Sequence, residues 1–170
     1  MINPFSRTYT AEEKEIFSFL KSLQLFSTLD YSELQAFVPH LHERTYVKDE
    51  VVYFRNDPSH ALYLLRKGKV SITLDIEDKF ENLAEYTGPA VFGQNCLLEG
   101  TKRSVNALVI SEKASFYVIP KDNIQNIKES NEDIKTKLME ALATLYESRI
   151  STVIKNYRTS YGLFNLGDIF

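Results

Sequence analysis

One hundred and seventy residues, 44% hydrophobic and 25% charged, suit one folded domain with flanking helices and argue against both a disordered chain and a two-domain enzyme. The formal net charge of -3 speaks against a protein whose main task is gripping a phosphate backbone, while leaving room for a local basic patch. The single Cys96 can neither close an internal disulfide nor build a four-thiolate zinc site, and no signal peptide or run of about 18 apolar residues is present, which predicts a cytoplasmic protein without a membrane span.

Thr10 and Glu13 form a capping-box pair, so a helix is predicted from there, with Ile16, Phe19, Leu20 and Leu23 as its apolar stripe. Asp30 and Glu33 repeat the pair. Leu34, Phe37, Val38 and Leu41 supply a second stripe that Pro39 ends or kinks. Across residues 44–119 the pattern changes to short segments rich in Val, Ile, Tyr and Phe, separated by turn residues, which predicts about seven or eight strands in a sandwich, jelly roll or small barrel. Val70, Ile72 and Leu74 alternate with Lys69, Ser71 and Thr73, predicting one buried and one solvated face. Val105, Ala107 and Val109 alternate with Asn106, Leu108 and Ile110, a strand covered on two sides. Asp49, Asn56 and Asp57 suit turns that need left-handed backbone.

After Pro120 a short helix carries Ile124 and Ile127, and Ser130 or Asn131 caps a long one of roughly 25 residues. Its stripe Ile134, Leu138, Leu142 and Leu145 overlaps a second seam of Met139, Leu142, Tyr146, Ile150, Val153 and Tyr157. Two apolar edges suit either a self-association face or a helix lying across its own barrel. Residues 160–170, with Gly162 and Gly167 among aromatics, suggest no role.

The strongest chemical signal is Val91-Phe92-Gly93-Gln94-Asn95-Cys96-Leu97-Leu98 with Arg103 and Ser104 beyond it. Gly93 permits a close backbone approach, and a short helical turn after it offers free N–H groups to an anion. Arg103 can close over the same anion with a bidentate pair of hydrogen bonds. A surface arginine after an ordinary turn is the plainer reading of the spacing alone.

The whole order of parts resembles the cyclic nucleotide-binding domain of the catabolite activator type. Carrying the resemblance are two leading helices, a run of about eight strands, the F-G-x-x-x-L-L turn at residues 92–98, Arg103, and two closing helices of which the last is long. Leu25-Phe26, Asp57-Pro58, Ala61-Leu62-Tyr63-Leu64, Gly68 before Val70, and Pro120 support it over residues 25–158. The resemblance implies a mainly β fold, a β-roll or double-stranded β-helix jelly roll, with helices at both ends. The implied layout is an N-terminal helical segment at 1–24, the β-roll at 25–129, the long helix at 130–158 and a tail at 159–170. It implies that amides around Asn95 and Cys96, the Arg103 guanidinium and the Ser104 hydroxyl take the cyclic phosphate of cAMP or cGMP, beside Phe92 and Gly93. Gln94 stands where relatives have a ribose-binding glutamate; the lost charge costs about 1 kcal/mol of binding. Val105 stands where they have alanine, and its extra methyls cost about 1 to 3 kcal/mol unless the pocket widens. Tyr146 and Arg149, on the long helix, are the residues available to contact the base.

The resulting expectation is a non-enzymatic regulatory sensor, without required cofactor or metal, that binds a cyclic nucleotide or similar anionic small molecule and forms a homodimer through its last helix. Relatives that read DNA continue into a helix-turn-helix, for which residues 159–170 are too short. The alternative is a degenerate pocket on a dimerisation or protein-interaction module, with Arg103 satisfied by a carboxylate such as Glu99 or by water. His40 and His42 on one strand face lack partners for a metal, and Asp75, Glu77, Asp78 and Glu81 lack the mid-loop glycine of a calcium site. Arg66, Lys67 and Lys69 read as an exposed basic turn. Cys96 is either a redox sensor activated by the adjacent helix start or a small filler.

Overall fold

The computed structural model describes residues 8–76 and 79–161. Glu77 and Asp78 of the acidic cluster, and the tail beyond Tyr161, lie outside the described residues. Helix α1 spans Ala11–Ser22 and opens with the expected capping box, the Thr10 hydroxyl accepting from the Glu13 N–H and the Glu13 carboxylate from the Thr10 N–H. Its buried residues are Phe17 and Leu20, while Ile16 and Phe19 are only partly covered. The stripe is turned from the predicted line because Phe17 packs between the Tyr9 and Tyr31 rings, with centroids 5.0 and 5.1 Å away.

The second capping box, Asp30 with Glu33, also forms, but α2 is only Tyr31–Leu34. The helix stops well before Pro39, whose ring collides with the carbonyl four residues back and has no N–H to offer it. The chain instead tightens into a 3₁₀ turn at Val38–His40. His40 therefore ends a turn while His42 starts a strand. The expected pair of imidazoles on one strand face does not exist, and His40 lies 2.6 Å from the Asn123 side chain.

Eight strands follow among the described residues: β1 His42–Val47, β2 Val51–Tyr53, β3 Ala61–Lys67, β4 Lys69–Ile76, β5 Lys79–Thr87, β6 Ala90–Phe92, β7 Asn106–Val109 and β8 Lys113–Pro120. They form two four-stranded antiparallel sheets, β1-β8-β3-β6 and β2-β7-β4-β5. This is the predicted jelly-roll layering. Period-two alternation divides β3 and β8 between two cores. Leu65 and Phe116 face the second sheet, while Leu62, Leu64 and Ile119 face the helices. Asp49 and Asn56 take the left-handed conformation, at φ 69° and 70°. Asp57 does not; its carboxylate accepts from the Phe54 N–H at 2.9 Å and ties the turn that way.

β4 departs from the expected solvated face, since Ser71 and Thr73 are buried along with Val70 and Ile72. β4 is an inner strand, so both hydroxyl residues are flanked on two sides by larger cross-strand partners, Leu108 and Glu85 for Ser71, Asn106 and Asn82 for Thr73.

Helix α3 spans Lys121–Ser130 and α4 spans Glu132–Tyr161, longer than predicted. Asn131 is the cap: its Oδ1 accepts from Asp133 and Ile134, whereas Ser130 bonds back to the Ile127 carbonyl. Ile134, Leu138, Leu142 and Leu145 are buried, so the first half of α4 packs into the domain's helical core, against the 3₁₀ turn Gln24–Phe26 and α3. Beyond it Ile150 and Val153 are 56% and 66% exposed. Phe17→Ala is expected to cost about 3–5 kcal/mol in urea unfolding and Ile16→Ala clearly less; equal losses would return the stripe to its predicted position.

Candidate ligand-binding site

β6 ends at Phe92, and Gly93, at a φ of 74°, caps a 3₁₀ turn at Gln94–Leu97. A Cβ here would lie 2.7 Å from Arg103 Nη1, so any other residue would strain the left-handed backbone and push the guanidinium off its acceptors. The loop leading to β7 is zipped to residues 56–59: the Arg103 N–H donates to the Asp57 carbonyl, the Asn56 N–H to the Arg103 carbonyl, and the Ser59 N–H to the Thr101 carbonyl. That places the Arg103 side chain inside the domain, 3% exposed.

Arg103 Nη1 donates to the Gly93 carbonyl at 2.8 Å and to Asn95 Oδ1 at 2.9 Å, and Nη2 donates to the Ala61 carbonyl at 2.6 Å. The guanidinium also lies 4.3 Å from the centre of the Tyr53 ring. Glu99 plays no part in this and accepts from Gln125 instead. The carboxylate partner foreseen for a retained arginine is replaced by main-chain carbonyls and an amide.

A cavity of about 130 Å³ opens beside the arginine. Phe92, Gly93, Gln94, Asn95, Arg103, Ser104, Val105, Tyr146 and Arg149 all line it, bringing together residues from β6, the turn, the loop and α4. Cys96 does not. Its side chain is fully buried in the helical core, and its N–H donates to the Gly93 carbonyl at 3.2 Å instead of facing an anion. Burial also pushes the Cys96 thiol up to about 12, the reverse of the activation that a helix start supplies.

Tyr53, Ile72 and Tyr86 complete the lining and escaped the sequence reading, because each comes from a different strand of the far sheet with no local motif to mark it. Phe92 stacks at 6.1 Å on Tyr86 and at 5.6 Å on Tyr63. Arg149 Nη2 donates to the Tyr86 hydroxyl at 2.9 Å, fastening α4 over the cavity mouth. Burial raises the Tyr146 hydroxyl and takes Tyr53 to about 12, which makes ionisation of either still harder.

The carbonyls that end the 3₁₀ turn are taken by α3, Lys128 Nζ on Leu97 at 2.9 Å and Lys121 Nζ on Leu98 at 3.1 Å. Desolvation lowers the Lys128 ammonium. Elsewhere, Asp75 is paired with Arg55, which holds its carboxyl down at about 2. Arg66 of the basic turn is half-buried rather than exposed, pairs with Glu43 at 3.0 Å and lies over the Tyr117 ring. Among the described residues no three His, Cys, Asp or Glu side chains gather to hold a metal, and no helix is long and apolar enough to cross a membrane. Cys96 is expected to resist a thiol-directed maleimide at pH 7.5 until denaturant is added; rapid labelling of the native protein would restore it as a redox candidate.

The cyclic nucleotide-binding domain family matches residues 43–131 of this chain. The cGMP-dependent protein kinase 2 of Mus musculus is 23% identical over 145 residues, which cover 84% of this chain and 19% of the kinase. The chain thus spans about a fifth of the length of the curated relatives it matches. Among solved structures, the regulatory domain of Toxoplasma gondii PKA with cAMP superposes with a TM-score of 0.64 at 16% identity, covering 71% of this chain and 46% of that one. The Thermus thermophilus catabolite activator protein gives 0.67 at 20% identity, covering 80% and 62%. Two such likenesses speak for the fold, and the family match covers just over half of the sequence, including the Gly93 turn and Arg103. The chain belongs to the cyclic nucleotide-binding domain family.

Proposed function

We propose that this chain is a non-enzymatic cytoplasmic sensor that binds a cyclic mononucleotide, cAMP or cGMP, between the 3₁₀ turn, Arg103 and α4. One observation carries the reading. Gln94 Oε1 and Arg103 Nε are buried without a hydrogen-bond partner among the described residues, and both residues line the same cavity. Each such orphan costs about 1–3 kcal/mol, a penalty that a ligand offering one acceptor and one hydroxyl donor relieves. A cyclic phosphate oxygen suits Arg103 Nε, with the Ser104 hydroxyl and the Asn95 amide beside it, and a ribose hydroxyl suits Gln94. The relatives are named for the same ligand class, one as a cGMP-dependent kinase and one in complex with cAMP.

The cavity of about 130 Å³ is below the range of about 300–1,000 Å³ usual for small-molecule sites. A nucleotide therefore enters only as Tyr146 and Arg149 give way, and because both sit on α4, occupancy repositions that helix and the homodimer it forms through Ile150 and Val153. Such a ligand shifts the helix only by its differential affinity for the two positions. The second reading, a protein-interaction module with a degenerate pocket, is favoured by the three hydrogen bonds that the terminal nitrogens of Arg103 already make to protein acceptors.

Isothermal titration with cAMP and cGMP separates them. The sensor gives micromolar binding that Arg103→Ala abolishes, and Gln94→Glu tightens binding about fivefold by restoring a charge-assisted bond. Circular dichroism confirms that each variant is folded. No heat from either nucleotide at millimolar concentration, with the wild-type protein folded, would establish the second reading. Tyr146→Ala is expected to change both affinity and the ligand-induced change in shape seen by small-angle scattering; an unchanged pair would remove α4 from the mechanism.

A further inference from the structure

Two features of the sequence that the nucleotide site does not use, the apolar stripe of α1 and the basic turn after β3, meet in one groove. Glu12, Glu15, Ile16 and Phe19 follow one another at helical spacing on a single face of α1. The core takes Phe17 and Leu20, which leaves Ile16 and Phe19 half-buried and both carboxylates exposed. Facing them, the sheet supplies Glu43 of β1, Arg66 and Lys67 of β3 and Tyr117 of β8. Glu43 and Tyr117 are cross-strand partners, and Arg66 is the extra residue of a bulge between Leu65 and Lys67. The two walls enclose about 270 Å³, and no residue of this groove lines the nucleotide cavity.

On its strand side the groove already holds a cation. The Arg66 guanidinium lies 4.3 Å from the centre of the Tyr117 ring and donates to Glu43 at 3.0 Å, so an aromatic face and a carboxylate fix it together. The helix side has the same two parts and no cation. The Phe19 ring packs on the Tyr117 ring edge to face at 5.7 Å, and Glu12 and Glu15 beside it form no ion pair among the described residues. Burial chiefly, with smaller contributions from Glu43, Glu15 and Glu12 against that of Arg66, raises the Tyr117 hydroxyl, which places all three carboxylates within electrostatic reach of it. Lys67 on the opposite rim is also outside any ion pair among the described residues, so the unmet charge is negative along α1 and positive along β3. The volume falls short of the range of about 300–1,000 Å³ usual for small-molecule sites and suits one or two side chains of a larger partner. We propose that this groove docks a peptide segment of a partner protein through one arginine and a neighbouring apolar side chain. The guanidinium lies on Phe19 against Glu12 and Glu15, the apolar side chain covers Ile16, and Lys67 turns away a second base. An arginine fits better than a lysine because its planar fork stacks on a ring and bonds two carboxylates at once, as Arg66 stacks and bonds across the groove. The docking does not depend on the nucleotide reading.

Amide chemical-shift mapping on the full chain tests it, with short capped peptides that hold one arginine and one leucine at several spacings in a Gly/Ser background, titrated to millimolar concentration. A matching set carries glutamate in place of arginine. At least one arginine–leucine spacing is expected to shift the amides of α1 and those around Arg66 and Tyr117, where the glutamate set does not, and salt is expected to weaken the effect. Glu12→Lys with Glu15→Lys, and separately Phe19→Ala, each weaken binding of that peptide about tenfold. The double lysine variant in turn gains binding to the glutamate–leucine peptide, a reversal that general destabilisation does not produce. Nucleotide titration is expected to be the same for both variants as for the wild type, so the two readings fail separately. No shift around the groove at any spacing, equal shifts from the glutamate set, or α1 variants that bind like the wild type would overturn the docking. Free arginine amide that binds as tightly as the peptides would make the groove a small-cation site, and groove shifts on concentrating the protein alone would give it to a second copy; either result overturns the peptide partner.

Discussion

The buried guanidinium of Arg103 is the interaction on which the rest of the site depends. Taking such a charge out of water costs several kcal/mol, about the worth of several hydrogen bonds, so it persists only where the surroundings are built around it. Here they are. The carbonyls of Gly93 and Ala61, the Asn95 amide and the Tyr53 face are supplied by the cassette turn, β3 and β2. Gly93 takes a left-handed backbone and a Cβ there would displace the guanidinium, and the loop carrying Arg103 is zipped to residues 56–59 so that the side chain arrives at the right depth. Among the described residues one nitrogen, Nε, has no partner, and it belongs to a residue lining the cavity.

The same turn is held from the other side by the ammonium groups of Lys121 and Lys128, both on α3. α3 packs through Ile124 and Ile127 into the core that also holds the first half of α4. The cassette, α3 and α4 thus form a continuous set of contacts, and Arg149 on Tyr86 closes the circuit across the cavity mouth. A change in the cassette has a physical route to α4 through lysine bonds and packed side chains, and a second through Tyr146 and Arg149 directly. Continuity supplies a route; two distinct α4 positions are what coupling additionally requires.

How much was legible in the sequence follows from how local each determinant is. The capping boxes at Thr10 and Asp30, the strand run, the Gly93 turn and the long helix rest on neighbours within a few residues, and each appeared where its pattern lay. The misplaced details depend on what lies opposite. Phe17 takes the buried position because two tyrosine rings meet it, Ser71 is covered by residues of neighbouring strands, and Cys96 turns to the core because its amide closes the 3₁₀ turn. Arg66 gained a partner in Glu43, far away in sequence, and His40 lost its strand neighbour when Pro39 tightened the backbone.

By itself, then, the sequence determined the fold family and the cassette, because hydrophobic period, caps and the glycine-to-arginine spacing are properties of short stretches of chain. Tertiary structure alone decided the aromatic wall of Tyr53 and Tyr86, the acceptors that hold Arg103, the small size of the cavity and the exposure of β5 and distal α4. Those features arise where sheets close on one another and a helix ends its contact with the roll. Such closures are set by the sum of many packing contacts, and no short segment encodes them.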